Sequence, residues 1–198
     1  MKKKIVHIFV FDGFADWEIA YVTPHIERSR EYALQLACIN GESVTSMGGL
    51  RVNCSCRLTE IDYNKCALLV LPGGDPWEKQ GLQEIIPVVE KCLEKQIPVA
   101  AICAATTLLG RMNLLNSIRH TSNSRGYLEK FCPTYTGQDY YAGGEGYHPT
   151  AITDDNIITS SGVAAVDFTK EIMHKLRIYD DATIEKWYQL FKNGVWNE

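Results

Sequence analysis

Val99-Ala100-Ala101-Ile102-Cys103-Ala104-Ala105-Thr106 reads as a buried strand that runs directly into a helix, with one thiol at the corner. A chain that turns this sharply forces the corner residue into strained backbone and crowds the positions two before and two after it. Only small side chains fit there. Ala101 and Ala105 occupy those positions and Ala104 is small as well, the steric pattern of a nucleophile elbow with cysteine in place of serine. The corner also sets Cys103 at the start of a helix beginning at Ala104, where free N–H groups and the macrodipole favour a thiolate and predict a lowered thiol pKa. The same residues would also suit ordinary core packing at a strand–helix junction.

Working outward from this corner, short apolar runs alternate with helical patterns. Residues 4–11, 32–39, 66–71, 99–102 and 157–160 read as strands, and 118–122 as extended. Helical spacing covers 16–30, with Trp17, Ala20, Tyr21 and Ile26 near one face, then 82–96, 104–110, 124–131, 164–176 and 180–192, the last ending near Gly194. Gly48-Gly49 marks a turn between Val44–Met47 and Arg51–Cys56, a predicted hairpin, and Asp154-Asp155-Asn156 a turn before the last strand. Most connections are too long for hairpins. This order predicts an α/β fold, a three-layer α/β/α sandwich on a mostly parallel, flavodoxin-like sheet, formed by residues 1–198 as a single domain. Ligands in such sheets gather beyond the carboxyl ends of the strands, at the switch point of the topology. That directs attention to Asp12-Gly13, Gly73-Gly74-Asp75, Cys103, His120-Thr121 and Ser161-Gly162.

Composition narrows the classes of function. The 198 residues are 45% apolar and 22% charged, enough to bury a substantial core. A net charge of -4 with dispersed Lys and Arg offers no basic stripe for phosphates, so nucleic acid is not an expected partner. Lys2-Lys3-Lys4 and the apolar run behind it mimic a secretory leader, but His7, the stop at Asp12-Gly13 and the missing small-x-small site favour a strand. No run approaches the roughly 18 apolar residues of a membrane span. Seven scattered cysteines form no disulfide framework, and Cys54-Ser55-Cys56 lacks metal-ligand spacing, so no metal is expected and a cytoplasmic location fits. Cys38, Cys66 and Cys92 read as small buried hydrophobes. Without a Gly-x-Gly-x-x-Gly after a strand or a P-loop lysine, no cofactor is expected.

Four segments, in this order and spacing, carry a resemblance to a known family: Phe11-Asp12-Gly13-Phe14-Ala15-Asp16-Trp17-Glu18, Leu69-Val70-Leu71-Pro72-Gly73-Gly74, Ala100–Ala105, and Ile157-Ile158-Thr159-Ser160-Ser161-Gly162. The chain resembles the ThiJ/PfpI family of the class I glutamine amidotransferase-like superfamily nearly end to end. The resemblance implies that Cys103 is the elbow nucleophile, Glu18 the buried acid beside it, and Gly73 and Gly74 a glycine pair whose N–H groups, with that of Ala104, form an oxyanion hole. It also implies a homodimer. A carboxyl and a thiolate in one pocket repel, so the pair should hold one proton between them. Glu18 is otherwise a solvated first-turn acid and the glycines a plain tight turn. The family's protease branch carries histidine after the cysteine. Ala104 stands there, so the elbow is more similar to the Parkinson-associated deglycase branch. His25-Ile26-Glu27 matches the amidotransferase His-x-Glu only by coincidence.

His120 is then the first candidate for a base and His148, in Gly146-Tyr147-His148-Pro149, the second. Asp75, His148 and Gly162 are candidates for the pocket, and the Tyr-rich stretch 127–147 for its edge. Trp77 follows the glycine pair and borders the same region. Three functions follow. One is a cysteine-dependent hydrolase or glyoxalase/deglycase-like enzyme acting on a small carbonyl or amide substrate, an intracellular protease or amidase being its variant. Another is a redox-sensing or holdase-type stress protein with an oxidisable Cys103 and no turnover. A third is a binding protein with an inactive cysteine.

Overall fold

The computed structural model describes residues 2–142 and 150–196. In chain order the elements are β1 (Lys4–Phe9), α1 (Val22–Arg28), β2 (Tyr32–Cys38), β3 (Val44–Thr45), β4 (Arg51–Val52), β5 (Cys56–Arg57), β6 (Cys66–Leu71), α2 (Ile86–Glu94), β7 (Val99–Ile102), α3 (Thr106–Arg111), α4 (Arg125–Phe131), β8 (Ala151–Asp154), β9 (Ile157–Ser160), α5 (Ala165–Leu176) and α6 (Asp181–Asn193). Seven of the described strands form one sheet in the order β5-β2-β1-β6-β7-β9-β8. Every pairing in it is parallel except β8 with β9.

The connections explain the layers. From β1 the chain steps one way to β2, and from β6 it steps the other way to β7. Because such crossovers are right-handed, α1 and α2 must cover opposite faces. The α/β/α sandwich expected from the sequence is what forms. The direction reverses between β1 and β6, so the strand ends on either side of that gap open a crevice. Val6, Ile8, Leu68, Val70, Ala100 and Ile158 in the central strands are fully buried, as a sheet covered on both faces requires.

Several elements differ from their expected form. The helix expected over 16–30 is broken into a 3-10 turn, Asp16–Glu18, and α1. Pro24 is the reason. Its ring would strike the carbonyl four residues back, so it is tolerated only in a first turn and the helix restarts at Val22. Trp17 and Tyr21, expected near one helix face with Ile26, are instead 50% and 36% exposed while Ile26 is buried. The stretch 118–122 is not a strand but holds a single bridge, His120 to Tyr141. Residues 151–154, unassigned from sequence, form β8 against β9 around the expected turn. The hairpin exists as β3 with β4. Helix ends follow their chemistry: Ser124 and Asp180 cap α4 and α6 by accepting from Tyr127 N and Thr183 N, and Gly194 ends α6 in left-handed backbone.

One cysteine reading is corrected. Cys38 is buried as expected but is bonded to Cys54, with their Cα atoms 6.0 Å apart. The ends of β2 and the β3–β4 hairpin bring together two thiols that are 16 residues apart in the chain. Among the described residues no helix is long and apolar enough to cross a membrane.

Candidate functional site

Four neighbouring strands deliver the site from their carboxyl ends: β1 leads to Glu18, β6 to Gly73, β7 to Cys103 and β9 to Gly162. Cys103 has φ 59, left-handed backbone at a non-glycine residue, as the elbow reading requires. The conformation is held from below by two hydroxyls. Thr106 Oγ1 donates to the Cys103 carbonyl at 2.6 Å and Thr107 Oγ1 to that of Ala104 at 2.7 Å. Ala101, Ala104 and Ala105 are buried around the corner.

The interrupted first helix is what frees Glu18. Its neighbour Trp17 points outward while Glu18 is fully buried, with the Gly73 N–H donating to Oε2 at 2.6 Å. Oε1 has no hydrogen-bond partner among the described residues, and the carboxyl group and the Cys103 side chain crowd the same two glycines, Gly73 and Gly162. Two glycines make this closeness possible. A Cβ on Gly73 would lie 2.7 Å from Cys103 Cβ, and one on Gly162 would lie 2.6 Å from Cys103 Sγ.

Burial dominates the electrostatics. It raises the Glu18 carboxyl from 4.5 to about 7, against the lowering effect of the Gly73 N–H and the thiol. Burial and then the Glu18 charge push the Cys103 thiol up to about 12, only partly offset by hydrogen bonds from Asn123 and the Ala104 N–H. The lowered thiol pKa expected from the helix start is therefore reversed. The helix behind the elbow, α3, is only six residues long, and desolvation beside an acid outweighs its dipole. Between about pH 7 and 12 the pair holds one proton and one negative charge.

The sequence reading missed Asn123. Its Oδ1 accepts from Gly162 N at 3.0 Å and its Nδ2 donates to Cys103 Sγ at 3.4 Å. The first bond fixes the second, because an amide whose oxygen faces an N–H must turn its NH2 the other way. Nothing in the local pattern marked it; Asn123 reads only as part of the polar start of α4.

His120, expected at the thiol, is elsewhere. It is fully buried, Nδ1 donates to the Ile118 carbonyl at 2.7 Å, and Nε2 accepts from the Tyr135 hydroxyl at 2.7 Å. A carbonyl can only accept, so the tautomer is fixed and no ring nitrogen is left for sulfur. Burial lowers its pKa and keeps it neutral. His148 and the segment 143–149 lie outside the described residues. Gly73 N–H is taken by Glu18, so of the expected oxyanion donors Gly74 and Ala104 remain: no hydrogen bond from Gly74 N occurs among the described residues, and the Ala104 N–H, next to the sulfur in the chain, favours its charged form. Asp75 lines a small recess with Gly74, Cys103 and Tyr127, and Gly162 lines a wider cleft that also includes Cys103. Trp77 is core, its indole N–H donating to the Pro72 carbonyl. No group of three or more His, Cys, Asp or Glu among the described residues is placed to hold a metal ion.

A strained cysteine at the turn after a parallel strand, against a buried carboxyl group, defines an α/β protein of the elbow-cysteine type. The chain matches the DJ-1/PfpI family over residues 3–175 and belongs to that family. It is 33% identical over 199 residues to a Bacillus subtilis protein named uncharacterized protease YoaZ, covering 97% of this chain and 92% of that one. A solved thiJ/pfpI family protein from Bacillus anthracis superposes with TM-score 0.87 at 32% identity, covering 98% of this chain and 93% of the other. The similarity to a protein named deglycase TK1284, from Thermococcus kodakarensis, is 30% but covers only 59% of this chain and 70% of that protein. The leaning toward the deglycase branch drawn from Ala104 is thereby corrected: whole-chain similarity favours the relatives named proteases, and one residue beside the cysteine is too little to set the branch. Family membership implies a cysteine-centred catalytic or redox function.

Proposed function

We propose that the protein is a cysteine-dependent acyl-transfer hydrolase acting on a small ester or amide, with Glu18 in place of a histidine base. The observation that carries this is the Glu18 carboxyl, raised to about 7 and set across two glycines from a thiol on strained backbone. An acid that titrates near neutrality is matched to taking a proton and returning it. Ionised Glu18 takes the Cys103 proton as sulfur attacks the carbonyl carbon, and the carbonyl π electrons move to oxygen, which the Gly74 and Ala104 N–H groups receive. Collapse expels the alkoxide or amine with the proton from Glu18, leaving a thioester. Water then adds to the thioester as Glu18 takes its proton, and departure of sulfur restores the thiol and releases the carboxylic acid. Asn123 holds the sulfur in place throughout. The name of the YoaZ relative, a protease, agrees with amide or ester cleavage.

The oxidation-sensing alternative is weaker on the same geometry. Peroxide attacks thiolates, and a thiol pushed up to about 12 offers little thiolate at rest. Hydrolysis of p-nitrophenyl acetate and of a peptide amide by wild type and Cys103→Ala tests the proposal. Loss of activity in the variant is expected, and indistinguishable rates would overturn it.

A further inference from the structure

The sulfur of Cys103 opens onto a cleft of about 390 Å³ whose walls include Trp17, Gly162 and Val163. The same three residues line a second open groove of about 380 Å³ that continues past Tyr21 to Phe191. The two are one surface. Along it Trp17 is 50% exposed, Val163 76% and Phe191 48%, apolar area left bare next to a reactive group. Lys192, the one cation among the described lining residues of the two clefts, is bound to Asp167 at 2.6 Å. A smaller recess that shares Trp17 and Cys103 with the cleft is lined by Asp75 and Glu78. Among the described residues no free positive charge therefore faces the thiol to hold a carboxylate or phosphate, and the nearby acids repel one.

From this we infer that the site selects neutral acyl groups carrying an extended alkyl or aryl substituent, with Trp17 and Val163 as the specificity-determining residues and the groove toward Phe191 taking the far end. The inference rests on the acyl-transfer reading above. Each methylene laid on the wall loses water from both surfaces, and since the groove is open on one side the gain is a fraction of that for full burial. Passing from an acetyl to a hexanoyl group should raise kcat/KM on the order of 10-fold. Trp17 reaches this position because the 3-10 turn puts it outside and Glu18 inside, so one short segment supplies both the proton carrier and the apolar wall.

The experiment compares kcat/KM for p-nitrophenyl acetate, butyrate, hexanoate and phenylacetate, each normalised to its rate with a free thiol. Wild type, Trp17→Ala and Val163→Ser are assayed, with Cys103→Ala alongside and the oligomeric state of each measured by sedimentation. A rise with chain length in wild type that flattens in Trp17→Ala and Val163→Ser is the expected result. A flat wild-type series, or a rise that both variants retain, overturns the inference while leaving the hydrolase reading intact. A wild-type dimer that Trp17→Ala dissociates without loss of chain-length selectivity also overturns it, because a second copy then covers the wall. Activity toward all four esters that persists in Cys103→Ala instead ends the hydrolase reading itself.

Discussion

Replacing Glu18 by glutamine isolates the energetics of the buried acid. Burial raises its carboxyl from 4.5 to about 7. At about 1.4 kcal/mol per pH unit, that difference corresponds to about 3 kcal/mol of folding stability. The folded protein retains a proton that the unfolded chain gives up between these values. The contribution is therefore complete below pH 4.5 and is lost as the pH rises through about 7. Glutamine cannot ionise, yet it keeps an amide oxygen to accept from the Gly73 N–H. Urea unfolding of both proteins at pH 4.5 and pH 8 should show wild type losing about 3 kcal/mol more than Glu18→Gln across the interval. Titrating groups other than Glu18 and Cys103 are common to both proteins and cancel in the difference. A second readout separates the roles of the carboxylate. Without its charge the Cys103 thiol falls from about 12, so iodoacetamide should alkylate it faster at pH 8, while ester turnover drops for want of a proton carrier. Parallel stability profiles, or alkylation and turnover that fall together, would refute the reasoning.

Other residues give sharper single outcomes. Gly162→Ala places a Cβ 2.6 Å from Cys103 Sγ, which must move, and turnover should fall on the order of 100-fold; near-normal turnover would mean the sulfur needs no fixed position. Asn123→Ala removes the donor to the sulfur and should slow alkylation of Cys103 by roughly 5-fold to 10-fold, measured at fixed pH. His120→Phe loses two buried hydrogen bonds and should destabilise the fold by about 2–3 kcal/mol, leaving the pH profile of Cys103 alkylation unchanged; a shifted profile would return His120 to the site. Cys38→Ser opens the bond to Cys54, and for a loop of this length the loss in unfolding free energy should be about 3 kcal/mol; a wild-type urea midpoint indifferent to reductant would contradict it.

The alternation of buried strands with helices was enough to predict the α/β sandwich, and the small residues around Cys103 pointed to an elbow while also suiting core packing, because burial on both faces and crowding at a corner restrict side chains locally. Glu18 and the glycine pair were singled out through the family resemblance, since by themselves they read equally as a solvated acid and a plain tight turn. Neighbours brought from distant segments were not. Asn123 and Gly162 are 39 residues apart and meet through one hydrogen bond, and His120 is turned from the thiol by the carbonyl of Ile118 and the hydroxyl of Tyr135. The sign of the Cys103 shift was likewise out of reach, since a helix start can be read locally whereas desolvation beside Glu18 depends on how four strand ends converge. Sequence thus determined which groups are present and in what backbone setting. Only the tertiary structure decided which of them touch and how much water surrounds them, and in a buried site those two quantities govern where the proton resides.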